Sequence, residues 1–352
     1  MSIVLLAFFL MCFFSLTEDT ESIKSDYLSK RNVQPIKGMF VMFVFMRHFL
    51  SYIPLNQKYI PVYLMFHRYT RQLVVVPFIF LSGYGVRTNY LAKKERYLDS
   101  YVWNRVVRTW FNFRCAVCMF IISNVCIGKH YPIKAILLAF TGWQSIGNSN
   151  WYILFILCMY VSGYIAFSAG IRFKQIDWLP HVIIIALSFL YIFIMIPFRP
   201  DYCYNTALVF SFGTLYAYYR SRVDKLLLNN DVVYRIALRL SMLAFVMLHK
   251  KWMNSLWIYE LTSIRFALSV VIALMKIRVS NSFLKYLGDH TFSVYMFQRL
   301  PMNVLKTTGV AGNTFRYFFL CLVITLIIAF YFDRITANTW KTITANIKGE
   351  RQ

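Results

Sequence analysis

The chain lacks the clusters of cysteine and histidine from which metal and redox centres are built. Its seven cysteines, Cys12, Cys115, Cys118, Cys126, Cys158, Cys203 and Cys321, are an odd and scattered set. The C-x-x-C formed by Cys115 and Cys118 has no second pair or histidine cluster to complete a zinc site. Most of the others fall inside apolar stretches, where cysteine acts as a small hydrophobe. No metal and no permanently bound cofactor are expected. Acidic residues are also scarce, 14 Asp and Glu against 38 Lys and Arg, for a net charge of +24. The excess forms no continuous basic face with interleaved aromatics, which argues against nucleic acid as a partner. No soluble domain, long linker or low-complexity segment is present. Residues 1–16 lack the basic start and small-residue cleavage site of a secretory signal, so they read as a retained apolar helix.

What the chain does have is apolar length. It is 59% hydrophobic and 19% aromatic, and apolar runs recur at short intervals, each long enough to cross most of a hydrocarbon core about 30 Å thick. This predicts an all-α, polytopic transmembrane bundle of about ten or eleven spanning helices, with the lipid bilayer as its solvent. After residues 1–16 and a polar segment to residue 32, a helix starts near Pro35. Residues 52–71 read as a loop, and further helices are expected over 73–84, 109–127, 151–170, 178–197, 206–219, 233–248, 262–275, 291–305 and 315–332. Residues 133–143 are too short to span. Basic residues alternate between the loops. Lys24, Lys30 and Arg31, the 87–108 loop, Arg172 and Lys174, Arg220 to Lys225, Lys276 to Lys285, and Arg334 to Arg351 fall on one side. Lys58, Arg68, Arg71, Lys129, Lys134, Arg199, Lys250, Lys251 and Lys306 fall on the other. The richer side is read as cytoplasmic, which places the carboxyl end inside, as a short basic tail over 334–352.

The most informative stretch runs from Lys37 to His48 through an almost unbroken apolar run. Eleven residues make about three helical turns, so both side chains lie on one stripe, roughly 16 Å apart. With Lys37 at the membrane surface, His48 sits near mid-bilayer, where an ionisable group is expensive and points to function. The plain alternative is a histidine hydrogen-bonded inside the bundle.

The motifs, taken in order, resemble the acyltransferase-3 family. They are Lys37, ten residues and His48; Ile79-Phe80-Leu81-Ser82-Gly83-Tyr84; Arg105-Val-Val-Arg108; Trp151-Tyr152; the 208–213 region; and Leu287-Gly288-Asp289-His290-Thr291-Phe292-Ser293-Val294-Tyr295. The resemblance covers nearly all of residues 33–333. It implies a multipass enzyme of the bacterial cytoplasmic membrane that moves an acyl group, usually acetyl, from acetyl-coenzyme A to a polysaccharide or lipid-linked glycan. Lys37 stands where the family carries arginine, keeping the charge but losing the planar fork. Gln298 stands where a histidine is common.

On this reading His48 is the catalytic residue, as general base or as transient acyl carrier. Lys37, Arg105 and Arg108 bind the phosphate-rich donor, the two arginines pointing two forks at one anion. Ser82, Gly83, Trp151, Gly288 and Tyr295 are motif residues near the site, and His67, Arg68 and Arg71 are candidates for the acceptor side. Glu260 with Arg265 reads as a structural pair, and Asp289 with His290 as a helix cap. A rival function is a glycan flippase. Such proteins often show internal repeats, and no second copy of the Lys37–His48 helix occurs. A family member that binds without catalysing is the other alternative.

Overall fold

The computed structural model describes residues 1–18, 26–54, 61–173, 176–252 and 255–349. Lys24, Lys58, Lys174 and Arg351 lie outside the described residues. The chain is a bundle of helices. In chain order these are α1 (Ser2–Phe14), α2 (Lys30–Phe49), α3 (Pro61–Thr70), α4 (Val76–Lys93), α5 (Val102–Cys126), α6 (Ile133–Phe140), α7 (Trp151–Arg172) and α8 (Leu179–Met195). Then follow α9 (Leu208–Leu228), α10 (Asp231–His249), α11 (Leu256–Leu274), α12 (Ser282–Asp289), α13 (Thr291–Phe297), α14 (Arg299–Leu305) and α15 (Thr314–Gly349). Two three-residue strands, β1 (Leu16–Glu18) and β2 (Ile277–Val279), pair antiparallel and tie the end of α1 to the α11–α12 connection.

Among the described residues five helices, α5, α7, α10, α11 and α15, are long and apolar enough to cross a membrane, and α1 and α8 are shorter apolar helices. The chain is a multi-pass membrane protein. The spans expected over 73–84 and 206–219 are the helices α4 and α9, and these carry more polar residues because they pack within the bundle. The stretch expected to span as one helix over 291–305 is divided into α13 and α14, which meet at Gln298. Other boundaries differ for local reasons. The helix carrying His48 begins at Lys30 rather than near Pro35, because Ser29 Oγ accepts a bond from Asn32 N at 3.4 Å and caps it there. Part of the stretch read as a loop is α3, fastened by the buried Tyr63, whose hydroxyl donates to the Met46 carbonyl. The basic tail continues α15 without a break, and Trp340 on it stacks on Trp103 at 4.8 Å.

Two reciprocal glycine contacts set how closely the helices approach. A Cβ on Gly38 would lie 1.8 Å from the Leu284 carbonyl oxygen, and one on Gly288 would lie 1.8 Å from that of Gln34. Helix α2 therefore meets α12 backbone to backbone. The same arrangement joins α4 to α9, with Gly83 against Phe210 O and Gly213 against Phe80 O at 2.1 and 2.3 Å. Small residues at such crossings are the usual route to tight helix association in a membrane. Gly288→Ala and Gly83→Ala are expected to destabilise the protein by about 1–3 kcal/mol or more. Gly85→Ala, with open space around it, should leave it unchanged. Thermal unfolding in detergent measures all three, and an unshifted Gly288→Ala would show that the helices can part without loss.

Candidate active site

The α2–α12 contact forms one side of a cavity of about 340 Å³. Lys37 from α2, Ser82 from α4, Arg105 from α5, Tyr152 and Tyr160 from α7 and Tyr295 from α13 contribute to its lining. Arg105 is held by tyrosines: its Nε donates to the Tyr97 hydroxyl at 3.3 Å and its guanidinium stands 5.8 Å from the Tyr160 ring. Asp289, the carboxylate of the lining, accepts bonds from Lys285 Nζ at 2.6 Å and Gln34 Nε2 at 2.9 Å. Burial alone would raise its pKa, but those two bonds outweigh it and hold the carboxyl below its ordinary value. Asp289 thus stays ionised and committed to Lys285. Lys37 and Arg105 remain as two cations without a carboxylate partner among the described residues, a setting suited to an anion.

A line of rings leads from this cavity to His48. Tyr152 and Tyr295 lie 5.4 Å apart between centroids, and Tyr295 stands 6.4 Å from the His48 ring. His48 is half-buried, and it is not among the residues that line this cavity. Its Nδ1 lies 3.4 Å from the hydroxyl of the buried Ser149. Ser149 belongs to a loop between α6 and α7 that is stiffened from within. Asn148 Oδ1 accepts from Ile146 N at 3.0 Å, Asn124 Nδ2 donates to Ile146 O at 2.8 Å, and Asn150 Nδ2 donates to Gly142 O at 2.8 Å. Gly147 turns with φ +103, a conformation that favours glycine. Four residues beyond His48, Tyr52 donates its hydroxyl proton to Asn303 Oδ1 at 2.8 Å and accepts from Arg299 Nε at 3.2 Å. Asn303 Nδ2 reaches Gly147 O at 3.2 Å. This single amide therefore links the turn that follows α2, α14 and the Ser149 loop.

A protein-family model described as an acyltransferase domain matches residues 33–334. The chain belongs to the acyltransferase-3 family. No curated protein and no solved structure matches it. The assignment makes this a membrane acyltransferase, and it covers every residue of the cavity and of the His48 cluster.

The acyltransferase motifs do not all converge. Arg108 is exposed and absent from the cavity lining. The cause is local: residues Val102–Val107 form a π-helical turn, whose wider i→i+5 register removes the face shared by residues three apart in an α-helix. Gly83 and Gly288 serve the two close crossings. Trp151 packs edge-on to Tyr152 and Tyr202, at 5.9 and 6.2 Å. Gln298 is fully buried, and its Nε2 donates to Tyr295 O at 3.0 Å. On the opposite side His67, Arg68 and Arg71 diverge. The His67 carbonyl accepts from Arg47 Nη1 at 3.0 Å, Arg68 is exposed, and Arg71 lines a separate cavity of about 240 Å³ with Asp201 and Tyr259.

Two pairings read from the sequence are replaced. Glu260 is not paired with Arg265, which is exposed. It accepts from Ala207 N at 2.7 Å and Leu208 N at 3.2 Å, so a buried carboxylate caps α9, where the helix dipole favours negative charge. Asp289 and His290 cap no helix with their side chains. His290 Nδ1 instead meets Asp333 Oδ2 at 2.5 Å, and Ser293 donates to the same carboxylate.

Ser149 beside His48, and Tyr52 and Asn303, which bond to each other and to the Ser149 loop, are residues that sequence reasoning missed or left without a role. Tyr52 falls in the 3-10 turn after α2, where helical spacing from His48 no longer applies. If Asn303 ties the loop to the helices, Asn303→Ala should cost about 1–2 kcal/mol and raise hydrogen–deuterium exchange over residues 145–149. Unchanged exchange there would remove the tie.

Proposed function

We propose that the protein transfers an acyl group, acetyl in the simplest case, from acyl-coenzyme A to a hydroxyl of a cell-surface or lipid-linked polysaccharide, in a bacterial cytoplasmic membrane. The observation that carries this reading is an adjacency: Lys37 and Arg105 line one cavity, and the rings of Tyr152 and Tyr295, which line it too, pack between it and His48. Lys37 and Arg105 take the donor's phosphate oxygens from the cytoplasmic side, where the basic loops lie. The eleven-residue step along α2 from Lys37 to His48 spans roughly 16 Å, a distance for the thioester arm to cover. Arg108, exposed beyond the π-turn, serves the membrane surface rather than the donor.

The chemistry is a balanced acyl exchange. His48 Nε2 removes the proton of the acceptor hydroxyl as that oxygen attacks the thioester carbonyl. The carbon–sulfur bond breaks, and the departing thiolate takes up the proton from the imidazolium. In the Nδ1–H tautomer, Ser149 Oγ accepts the hydrogen bond from Nδ1, and the Nε2 lone pair is free. Bonding at one ring nitrogen sets the role of the other. The alternative order, in which Nε2 first carries the acyl group, uses the same atoms. The acceptor enters from the other face, beside Tyr52, Arg299 and Asn303, where hydroxyls and amides suit a sugar.

Inverted membrane vesicles given acetyl-coenzyme A radiolabelled in the acetyl group test the reading. His48→Ala should lower label transfer by at least about a hundred-fold, the scale of a lost general base, without altering the yield of folded protein. Transfer at the wild-type rate ends the role of His48, and glycan movement without any labelling favours a flippase. The donor site has its own test. Arg105→Gln should raise the KM for acetyl-coenzyme A about ten-fold or more, the loss of a charge-assisted hydrogen bond, whereas Arg108→Gln should change it less than about two-fold. Equal effects of both substitutions would place the phosphates elsewhere.

A further inference from the structure

A larger cavity, of about 920 Å³, opens between the end of α4, the turn that follows it and the facing ends of α7 and α8. Its volume is that of a small-molecule site, and none of its lining residues belongs to the Lys37–Arg105 cavity. At its floor lies Arg87, only 4% exposed. The guanidinium stands among three aromatic rings, 5.3 Å from Tyr90, 5.7 Å from Phe167 and 5.2 Å from Tyr218. Tyr90 and Phe167 are themselves stacked at 4.4 Å, so the cage is rigid. The buried Nε of Arg87 finds no hydrogen-bond partner among the described residues.

A buried cation in this state is unusual. Aromatic faces offset part of its lost hydration, but they accept few hydrogen bonds, and buried charges are ordinarily paired. Asp177 and Glu95 are the acids of the cavity wall, against the cations Arg87, Lys93, Lys94 and Arg96. The last three are exposed at the rim. A carboxylate ligand would be satisfied by the arginine fork alone. A phosphate, with more acceptor oxygens and more charge, uses both the fork and the rim.

We propose that this cavity is a second anion site, which binds a phosphate ester with a phosphate oxygen pair on Arg87 and the remaining charge met by Lys93, Lys94 and Arg96. Two sources share that chemistry: the headgroup of an anionic phospholipid and a soluble phosphate ester from the aqueous phase. The inference does not depend on donor binding at Lys37 and Arg105.

The test uses the full chain in phosphatidylcholine nanodiscs and two probes. One is phosphatidylglycerol added to the nanodisc, and the other is adenosine 3′,5′-bisphosphate titrated in solution. Unfolding temperature is read for both, and calorimetric affinity for the second. At least one probe should stabilise the wild type. In the Lys37→Gln background, which removes any contribution of the other cavity, Arg87→Gln should abolish the remaining stabilisation or weaken binding about ten-fold or more. A response to phosphatidylglycerol alone assigns the lipid, a response to the bisphosphate alone assigns the soluble ester, and a response to both assigns a shared site. Should Arg87→Gln fail to fold, the triple rim variant Lys93→Gln/Lys94→Gln/Arg96→Gln must lose the response instead. Stabilisation by neither probe overturns the proposal, as does a response that survives Arg87→Gln or the rim variant in the Lys37→Gln background. So does a response that disappears only in Lys37→Gln, because it then belongs to the other cavity.

Discussion

The backbone contact between α2 and α12 is the constraint on which the rest of the site depends. Gly38 and Gly288 each sit where a Cβ would strike a carbonyl oxygen of the other helix, at 1.8 Å. With no side chain between them, the two helices bring Lys37, Gln34 and Asp289 into one cavity wall. The same approach sets Tyr295, one short helix further on, against His48. In lipid there is little hydrophobic gain from bringing helices together, so close packing must come from shape and dispersion. A larger residue at either position would part Lys37 from Asp289 and Tyr295 from His48, however well each half folded by itself.

The shortage of acids noted at the outset has a structural counterpart. With 14 carboxylates against 38 Lys and Arg, many cations are held by aromatic rings instead. Arg105 rests over Tyr160, Arg87 among three rings, Arg199 at 5.2 Å from Trp143, and Arg299 at 5.9 Å from Tyr52. A ring face attracts a cation without neutralising it. Two of these cations, Arg87 and Arg105, line cavities, so the charge that the rings hold there is not neutralised by them. The carboxylates that are present are mostly spoken for: Asp224 by Tyr27 and Arg220, Asp289 by Lys285, Asp333 by His290, and Glu260 by the start of α9.

Some of this was legible in the residues and some was not, for physical reasons. Helical periodicity placed Lys37 and His48 along one helix, and the motif pattern singled out Gly83 and Gly288, the residues that serve the close crossings. The first depends on local geometry that repeats along a helix. Arg108 parted from Arg105 because a π-turn changes the register, and no residue type specifies such a turn. Glu260 and Arg265, spaced for neither an i,i+3 nor an i,i+4 contact, found no pairing, and the carboxylate turned to the exposed amides of a helix start distant in sequence. Ser149 lies in a polar loop with no periodicity at all. Its place beside His48 is fixed by asparagine side chains bonding to loop carbonyls, a tertiary matter.

The position of His48 also bears on why Lys replaces Arg at residue 37. The cavity near Lys37 already holds one rigid fork, Arg105, fixed by Tyr97 and Tyr160. Two rigid guanidinium planes would each demand an ideal geometry from one phosphate group. A lysine on a flexible stem adds charge without a second geometric demand, and on the function we propose it would follow a donor whose arm advances to His48. On that proposal the rigid cation sets where the anion lies, and the flexible one holds it through the motion.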